Sequence, residues 1–287
     1  MGVCQFFFFS KQKYTVNFRL FKIFILKIDA IMENSDTIKW CGYNWSCEMD
    51  GGRIIHPSYP YAWYSDSPDV VHIDDNGEMS LYYRENPKEI KYDGKTYTPT
   101  IERGLIRTTA PFDYGTFSIE AKMPKGLNIW SAFWLSGDGN WPPEIDIVES
   151  WSEDNNYYHR TTNHFPWIVP SWRTTNNVHY NNKNLVHEQL GSKNITKCDQ
   201  PLDPIENWIK YEAKWEPDKI VFMANGKVVK TISKKYANML VKNLKKPEKG
   251  YLMDVIIEIN VDDPKTIKNR LDTPFKVRNF EYKPLNK

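Results

Sequence analysis

At 287 residues, with 40% hydrophobic and 26% charged side chains, the chain has an ordinary globular composition and the length of one large domain or two small ones. A net charge of +2, with no basic stripe threaded by stacking aromatics, gives no footprint for a nucleic-acid partner. The excess is in aromatics: 15% of residues, with 11 Trp and 17 Tyr, rings that must fill a core or line a groove. Such rings suit the flat apolar faces of sugars as well as they suit packing.

Residues 1–36 read as an N-terminal extension, because the first 31 do not resemble the rest of the chain. Phe6 to Phe9 and Phe21 to Ile28 are apolar, but lysines and an arginine interrupt the stretch. Neither run reaches the roughly 18 residues needed to span a bilayer, so no stable membrane insertion is expected. No charged region, apolar run and small-residue cleavage site succeed one another as in a signal peptide. The extension is either a degenerate targeting segment or an over-extended reading frame whose true start is Met32.

From Thr37 the pattern is β throughout. Val70 to Asp74 and Glu78 to Tyr83 flank Asp75-Asn76-Gly77 and predict a hairpin. Thr116 to Met123 alternates and ends at Pro124. Lys219 to Ala224, Asn225-Gly226 and Lys227 to Ile232 predict a second hairpin. Leu252 to Val261 and Phe275 to Tyr282 predict two further strands, and one short helix is expected around Tyr236 to Leu244. Many short strands with turn signals between them, and no repeat or linker, imply an all-β sandwich or barrel over residues 37–287. Residues 155–175 hold Phe165-Pro166-Trp167 and Pro170-Ser171-Trp172 and read as the rim of a groove. Residues 176–197, rich in Asn and Lys, read as a solvated excursion. Cys4, Cys41, Cys47 and Cys198 have no metal-ligand spacing. Cys41 and Cys47 either bridge a small loop or stay as thiols. Asn44-Trp45-Ser46 and Asn194-Ile195-Thr196 are glycosylation sequons, meaningful only in a secreted eukaryotic chain.

The densest chemistry is Glu144-Ile145-Asp146-Ile147-Val148-Glu149. On a strand, Glu144 and Asp146 share one face while Ile145 and Ile147 share the other. Glu149 falls out of phase, and a flat strand would bury it beside the isoleucines at a high desolvation cost. A β-bulge near Ile147-Val148 would return it to the acidic face, and bulges recur beside active sites. The hexapeptide alone fits either a solvated amphipathic edge or three acids aimed into a cleft; a calcium site would call for a different ligand loop.

The flanks decide between them. Gly104-Leu105-Ile106-Arg107, Tyr114 to Lys122, Asn128 to Leu135 and Asn140-Trp141-Pro142-Pro143 lead into the acids. Asn163-His164-Phe165, Tyr211 to Ile220, Asn225-Gly226-Lys227 and Phe275 to Tyr282 come after them. This order resembles glycoside hydrolase family 16, the laminarinase, lichenase and agarase group, over about residues 37–284. The resemblance implies a β-jelly-roll sandwich of the concanavalin A-like type, with a concave sheet that binds sugar. It implies a retaining hydrolase cutting internal β-linkages of a polysaccharide, with Glu144 as nucleophile, Glu149 as general acid/base and Asp146 between them. The extra residue in the acidic motif resembles the bulged branch of laminarinases and marine-galactan hydrolases rather than the unbulged lichenases, which favours a laminarin-type or galactan substrate. For the family as a whole a β-1,3- or mixed-linkage glucan is expected first and galactan second. Trp130, Trp141, His164 and Arg107 match positions that would bind substrate; the alternatives are core packing for the tryptophans, a structural histidine, and a surface ion pair for Arg107. Trp134 is expected in the core.

Two positions depart from the family pattern. Trp208 stands where many relatives have histidine, and Glu258 where many have asparagine; a buried Glu258 would need a partner. No redox cofactor or catalytic metal is implied. Many members hold a structural calcium far from the acids, but no full ligand set is readable here. A monomer with a polysaccharide substrate is expected, and such a substrate suggests work outside the cell. The competing readings on the same sandwich are a non-catalytic carbohydrate-binding protein, which would typically lack the glutamates, and a transglycosylase.

Overall fold

The computed structural model describes residues 37–124, 129–137, 143–152, 172–181, 187–190, 204–232, 252–261 and 274–285, with backbone alone for 151–190 of these. All lie in one compact unit, Thr37–Lys287. The short helix expected at 236–244 and the N-terminal extension fall outside them.

Every regular element among the described residues is a strand. In chain order the first are β1 (Ile38–Trp40), β2 (Tyr43–Ser46), β3 (Ile55–His56), β4 (Tyr59–Tyr64), β5 (Val71–Ile73), β6 (Met79–Leu81) and β7 (Tyr83–Glu85). Then come β8 (Ile90–Tyr92), β9 (Lys95–Tyr97), β10 (Ile101–Arg103), β11 (Leu105–Thr108), β12 (Gly115–Lys122), β13 (Ile129–Gly137) and β14 (Glu144–Ser152). The last are β15 (Trp172–Asn181), β16 (His187–Leu190), β17 (Ile209–Glu216), β18 (Lys219–Ala224), β19 (Lys227–Ile232), β20 (Met253–Val261) and β21 (Phe275–Pro284).

An eight-stranded sheet runs β1-β2-β11-β20-β13-β14-β15-β16, and a seven-stranded sheet runs β19-β18-β17-β12-β21-β6-β5. These two antiparallel sheets form the jelly-roll sandwich expected from the sequence. A smaller sheet, β3-β4-β10-β7, carries one parallel pair, β4 with β10.

Period-two alternation builds the core between the two large sheets. Phe117, Ile119 and Ala121 of β12 and Tyr211, Ala213 and Trp215 of β17 meet Phe133 and Leu135 of β13 and Val255, Ile257 and Ile259 of β20. β20 is buried at every position, because its other face is covered too. That second face joins Met49, Tyr64, Leu105, Ala132, Trp134 and Ile256 in a separate cluster, with Trp130 against it. Trp134 is therefore buried, but on the outer face of the sheet rather than in the sandwich core.

Both predicted hairpins form. The β5–β6 loop turns at Gly77 with φ of 77°, and β18–β19 turns at Asn225 (φ 47°) and Gly226 (φ 74°), the two positive values that a tight two-residue turn requires. Residues 176–197, read as a solvated excursion, instead contribute to two strands. β15 pairs along β14 from Glu144 opposite His179 to Ser152 opposite Trp172, and β16 pairs with β15. The backbone ladder, not an apolar stripe, recruits this Asn- and Thr-rich segment. Cys41 and Cys47 do not bridge to each other, and burial pushes the Cys41 thiol above its usual range.

Candidate active site

β14 lies between β13 and β15, and both registers slip at the same place. Against β13, Phe133 pairs with Val148 and the next residue, Trp134, pairs with Asp146, passing over Ile147. Against β15, Asp146 stands opposite Asn177 and Glu149 opposite Thr175, three steps matched by two. The expected bulge is present, with Ile147 as the extra residue. Ile145, Ile147 and Val148 all enter the sandwich core. Two consecutive inward residues at 147 and 148 restore the phase, so Glu144, Asp146 and Glu149 share the outer face.

The register then defines the rows of that face. Glu144 neighbours Ser136 and, beyond it, Asp254; Asp146 neighbours Trp134 and then Ile256; Glu149 neighbours Ala132 and then Glu258. Glu144 is half-buried, while Asp146 and Glu149 are only 3% and 9% exposed.

Two arginine networks underlie the face. Arg107 lies on the outer side of β11; its Nη2 donates to Asp254 Oδ2 at 2.8 Å and pairs with Asp50, and its Nε also reaches Asp254. Arg107 thus stands on the acidic face and within an ion pair. Arg103 is wholly buried: Nη1 donates to Glu258 Oε2 at 3.2 Å, and Nη2 donates to the Tyr64 hydroxyl at 3.0 Å. Its guanidinium also lies 4.6 Å from the centre of the Tyr64 ring. The Trp134 indole N–H donates to Glu258 Oε1 at 3.1 Å. Burial pushes Glu258 above the usual carboxylate range, with Arg103 and Trp134 pulling it back. Burial also pushes Tyr64 up to about 12.

Trp130 is half-buried at the Glu149 end of β13, and its ring centre is 6.5 Å from that of Tyr59. Tyr59 is exposed and continues to His56 at 5.2 Å and Tyr61 at 6.2 Å, forming an aromatic ledge beside the acidic face. Burial, with Arg53 and Arg103 nearby, lowers His56 to about 4, so its ring is neutral above that pH. Trp141 and His164 lie outside the described residues. Trp208, the other departure from the family pattern, sits on the opposite sheet, with the Arg278 guanidinium 4.1 Å from its ring centre. The sequence pointed to Arg107 and Trp130 but not to Arg103, Asp254, Tyr59 or His56; of these only Asp254, a charge in the apolar run of β20, carried a local signal. Among the described residues no group of three or more His, Cys, Asp or Glu is placed to hold a metal ion, and no helix is long and apolar enough to cross a membrane.

The family model for glycosyl hydrolases family 16 matches residues 63–257, more than half of the chain and all three acids. The chain belongs to this family. Among relatives of this family 16 chain, the endo-1,3-1,4-beta-glycanase ExsH of Rhizobium meliloti (strain 1021) is 39% identical over 106 residues, covering 36% of this chain and 21% of that protein. In each of the three curated relatives the matched stretch spans only 12–22% of the relative's length. The laminarinase catalytic domain from Thermotoga petrophila RKU-1 superposes with a TM-score of 0.53 over 88% of this chain and 95% of that one, at 18% identity. Porphyranase B from Zobellia galactanivorans superposes with a TM-score of 0.55 over 86% of this chain and 87% of that one, at 17% identity. At these identities the superpositions establish the family 16 jelly roll as the fold.

Proposed function

We propose that this chain is a retaining endo-β-glycanase that cuts internal linkages of a neutral β-1,3- or mixed-linkage glucan, acting as a monomer. The observation that carries the reading is the bulge at Ile147, which sets Glu144, Asp146 and Glu149 on one face of the eight-stranded sheet. Glu144 attacks the anomeric carbon while Glu149 donates its proton to the departing glycosidic oxygen, leaving a covalent glycosyl–enzyme ester. Glu149, now ionised, takes a proton from water, whose oxygen displaces Glu144 and restores both groups. Asp146, between them and enclosed, biases the set toward one ionised and one protonated glutamate.

Charge supports a neutral glucan over a sulfated galactan. On the acidic face Arg107 is held by Asp254 and Asp50, and Arg103 by Glu258, so both of these arginines are already matched by carboxylate. A sulfate group would meet a net negative surface. The ledge of Tyr59 and His56 beside Trp130 offers uncharged ring faces to a glucan chain. The activity named for ExsH, on 1,3-1,4-β-linkages, points the same way.

The test measures reducing ends released from laminarin, mixed-linkage β-glucan, agarose, porphyran and carrageenan, with wild type beside Glu144→Gln and Glu149→Gln. Release from a glucan, lost in both variants, is the expected result. Polymer binding with equal silence in all three proteins would favour a carbohydrate-binding protein. Longer products in the presence of abundant oligosaccharide would favour transglycosylation.

A further inference from the structure

The Arg103–Glu258 pair is the deepest charged group near the acids, and the two-glutamate chemistry does not itself require it. Glu258 shares a register row with Glu149, and the only side chain between them is the methyl of Ala132. At the usual strand spacing their backbones are about 10 Å apart. Trp134, next along β13, turns its indole N–H onto Glu258 while its own register partner is Asp146. Arg103 is kept beneath this row by Glu258 on one side and by the hydroxyl and ring of Tyr64 on the other. A buried cation within reach of an acid/base carboxylate would favour loss of its proton, unless a second carboxylate cancels that charge.

We propose that Glu258 is a positioning residue for the acid/base: it neutralises Arg103 and fixes Trp134 against the acid row, so that Glu149 holds the proton the leaving oxygen needs. The inference rests on the hydrolase reading for its purpose, but the charge effect on Glu149 can be measured without substrate. The other charged or titratable groups on this side are Asp146 and Glu144 on β14, Asp254 on β20, Arg107 on β11, Tyr64 on β4, Arg53, which acts on Tyr64, and His56, which feels Arg103. Lys230 of β19 also feels Asp146. On β15 the register places Arg173, two residues from the Thr175 opposite Glu149, and His179, opposite Glu144. Of these Tyr64 touches the pair, as the acceptor of an Arg103 hydrogen bond, and its hydroxyl, pushed up to about 12, stays neutral where a carboxyl titrates; the other groups keep their own side chains in the variants.

The variant Glu258→Gln keeps an oxygen for the Trp134 N–H but leaves Arg103 uncancelled. Carboxyl ¹³C titration of the full chain labelled at glutamate, with the Glu149 signal assigned by its loss in Glu149→Gln, reads the effect directly. The Glu149 midpoint is expected to fall by roughly half to one pH unit. The alkaline limb of kcat/KM on the cleaved polymer should move down with it. The double variant Arg103→Met with Glu258→Met, which removes both charges, should return the midpoint to the wild-type value. Should Glu258→Gln not fold, Arg103→Met alone, which leaves the Glu258 carboxylate uncancelled, should raise the midpoint instead. An unchanged midpoint in Glu258→Gln with a lower Tm, or a shifted midpoint in the double variant, overturns the proposal. A moved midpoint with no polymer cleaved by wild type would sustain the charge effect and count against the hydrolase reading instead.

Discussion

The bulges in β14 and β21 each add one residue to their strand, and the two irregularities serve opposite ends. In β14 the extra residue is Ile147; two apolar side chains enter the core in succession, and a carboxylate, Glu149, is returned to the outer face. In β21 the slip against β12 falls between Arg278 and Glu281, where Asn279 adopts a left-handed φ of 55°. There the shift returns an aromatic ring, Phe280, to the core, where it meets Trp40, Tyr43, Trp45, Phe112 and Phe133. One bulge exports a charge and the other imports a ring. The same backbone device corrects the phase of whichever side chain cannot tolerate the wrong face.

Deleting Ile147 is the most direct way to break this comparison. The Glu-Ile-Asp-Val-Glu that remains alternates without a bulge and keeps Glu149 on the outer face, so what changes is the Glu144–Glu149 spacing and the loss of the buried Ile147 side chain. Activity should fall by roughly 10²-fold or more, and stability in a urea titration by about 2–5 kcal/mol. A fully active deletion variant would show that the spacing set by the bulge does not matter to the chemistry. Next in size, Glu149→Gln should lower kcat by roughly 10²–10⁴-fold with little change in Tm. A comparable loss of Tm would mean that the carboxylate serves the fold instead. In the other bulge, Phe280→Ala should cost about 3–5 kcal/mol of unfolding free energy while the per-molecule activity of the folded fraction is kept. The smallest effect is expected at Asn279. Its replacement by Val, which resists a left-handed backbone, should cost about 1–3 kcal/mol, whereas Asn279→Gly should be near neutral. Equal losses in the two would mean that the Asn side chain, not the backbone angle, matters there.

The first bulge was legible because a carboxylate at a core position is a contradiction that one extra residue resolves. The second carried the same signal, a polar Asn279 at an inward step before Phe280, yet 275–282 reads as a plain strand because an uncharged Asn raises no comparable penalty. Both hairpins and the face shared by the acids stem from local alternation and turn chemistry. β15 does not, since its Asn- and Thr-rich stretch is held by the ladder of β14 rather than by burial of its own. The Arg103–Glu258 pair could not be read either. Its members stand 155 residues apart, and nothing local announces which arginine a buried glutamate will find.

The strand order also has a consequence for how the molecule is made. β20 separates β11 from β13, and β21 separates β12 from β6, so both large sheets are closed by strands that come late in the chain. Until residues 253–284 have left the ribosome, each half-sheet presents open edges and an uncovered apolar face. Assembly of the acidic face therefore waits on strands that follow most of the sheet in sequence, and is slow because its pairings are long-range. Removing β20 and β21 would yield an aggregation-prone chain, not a smaller enzyme.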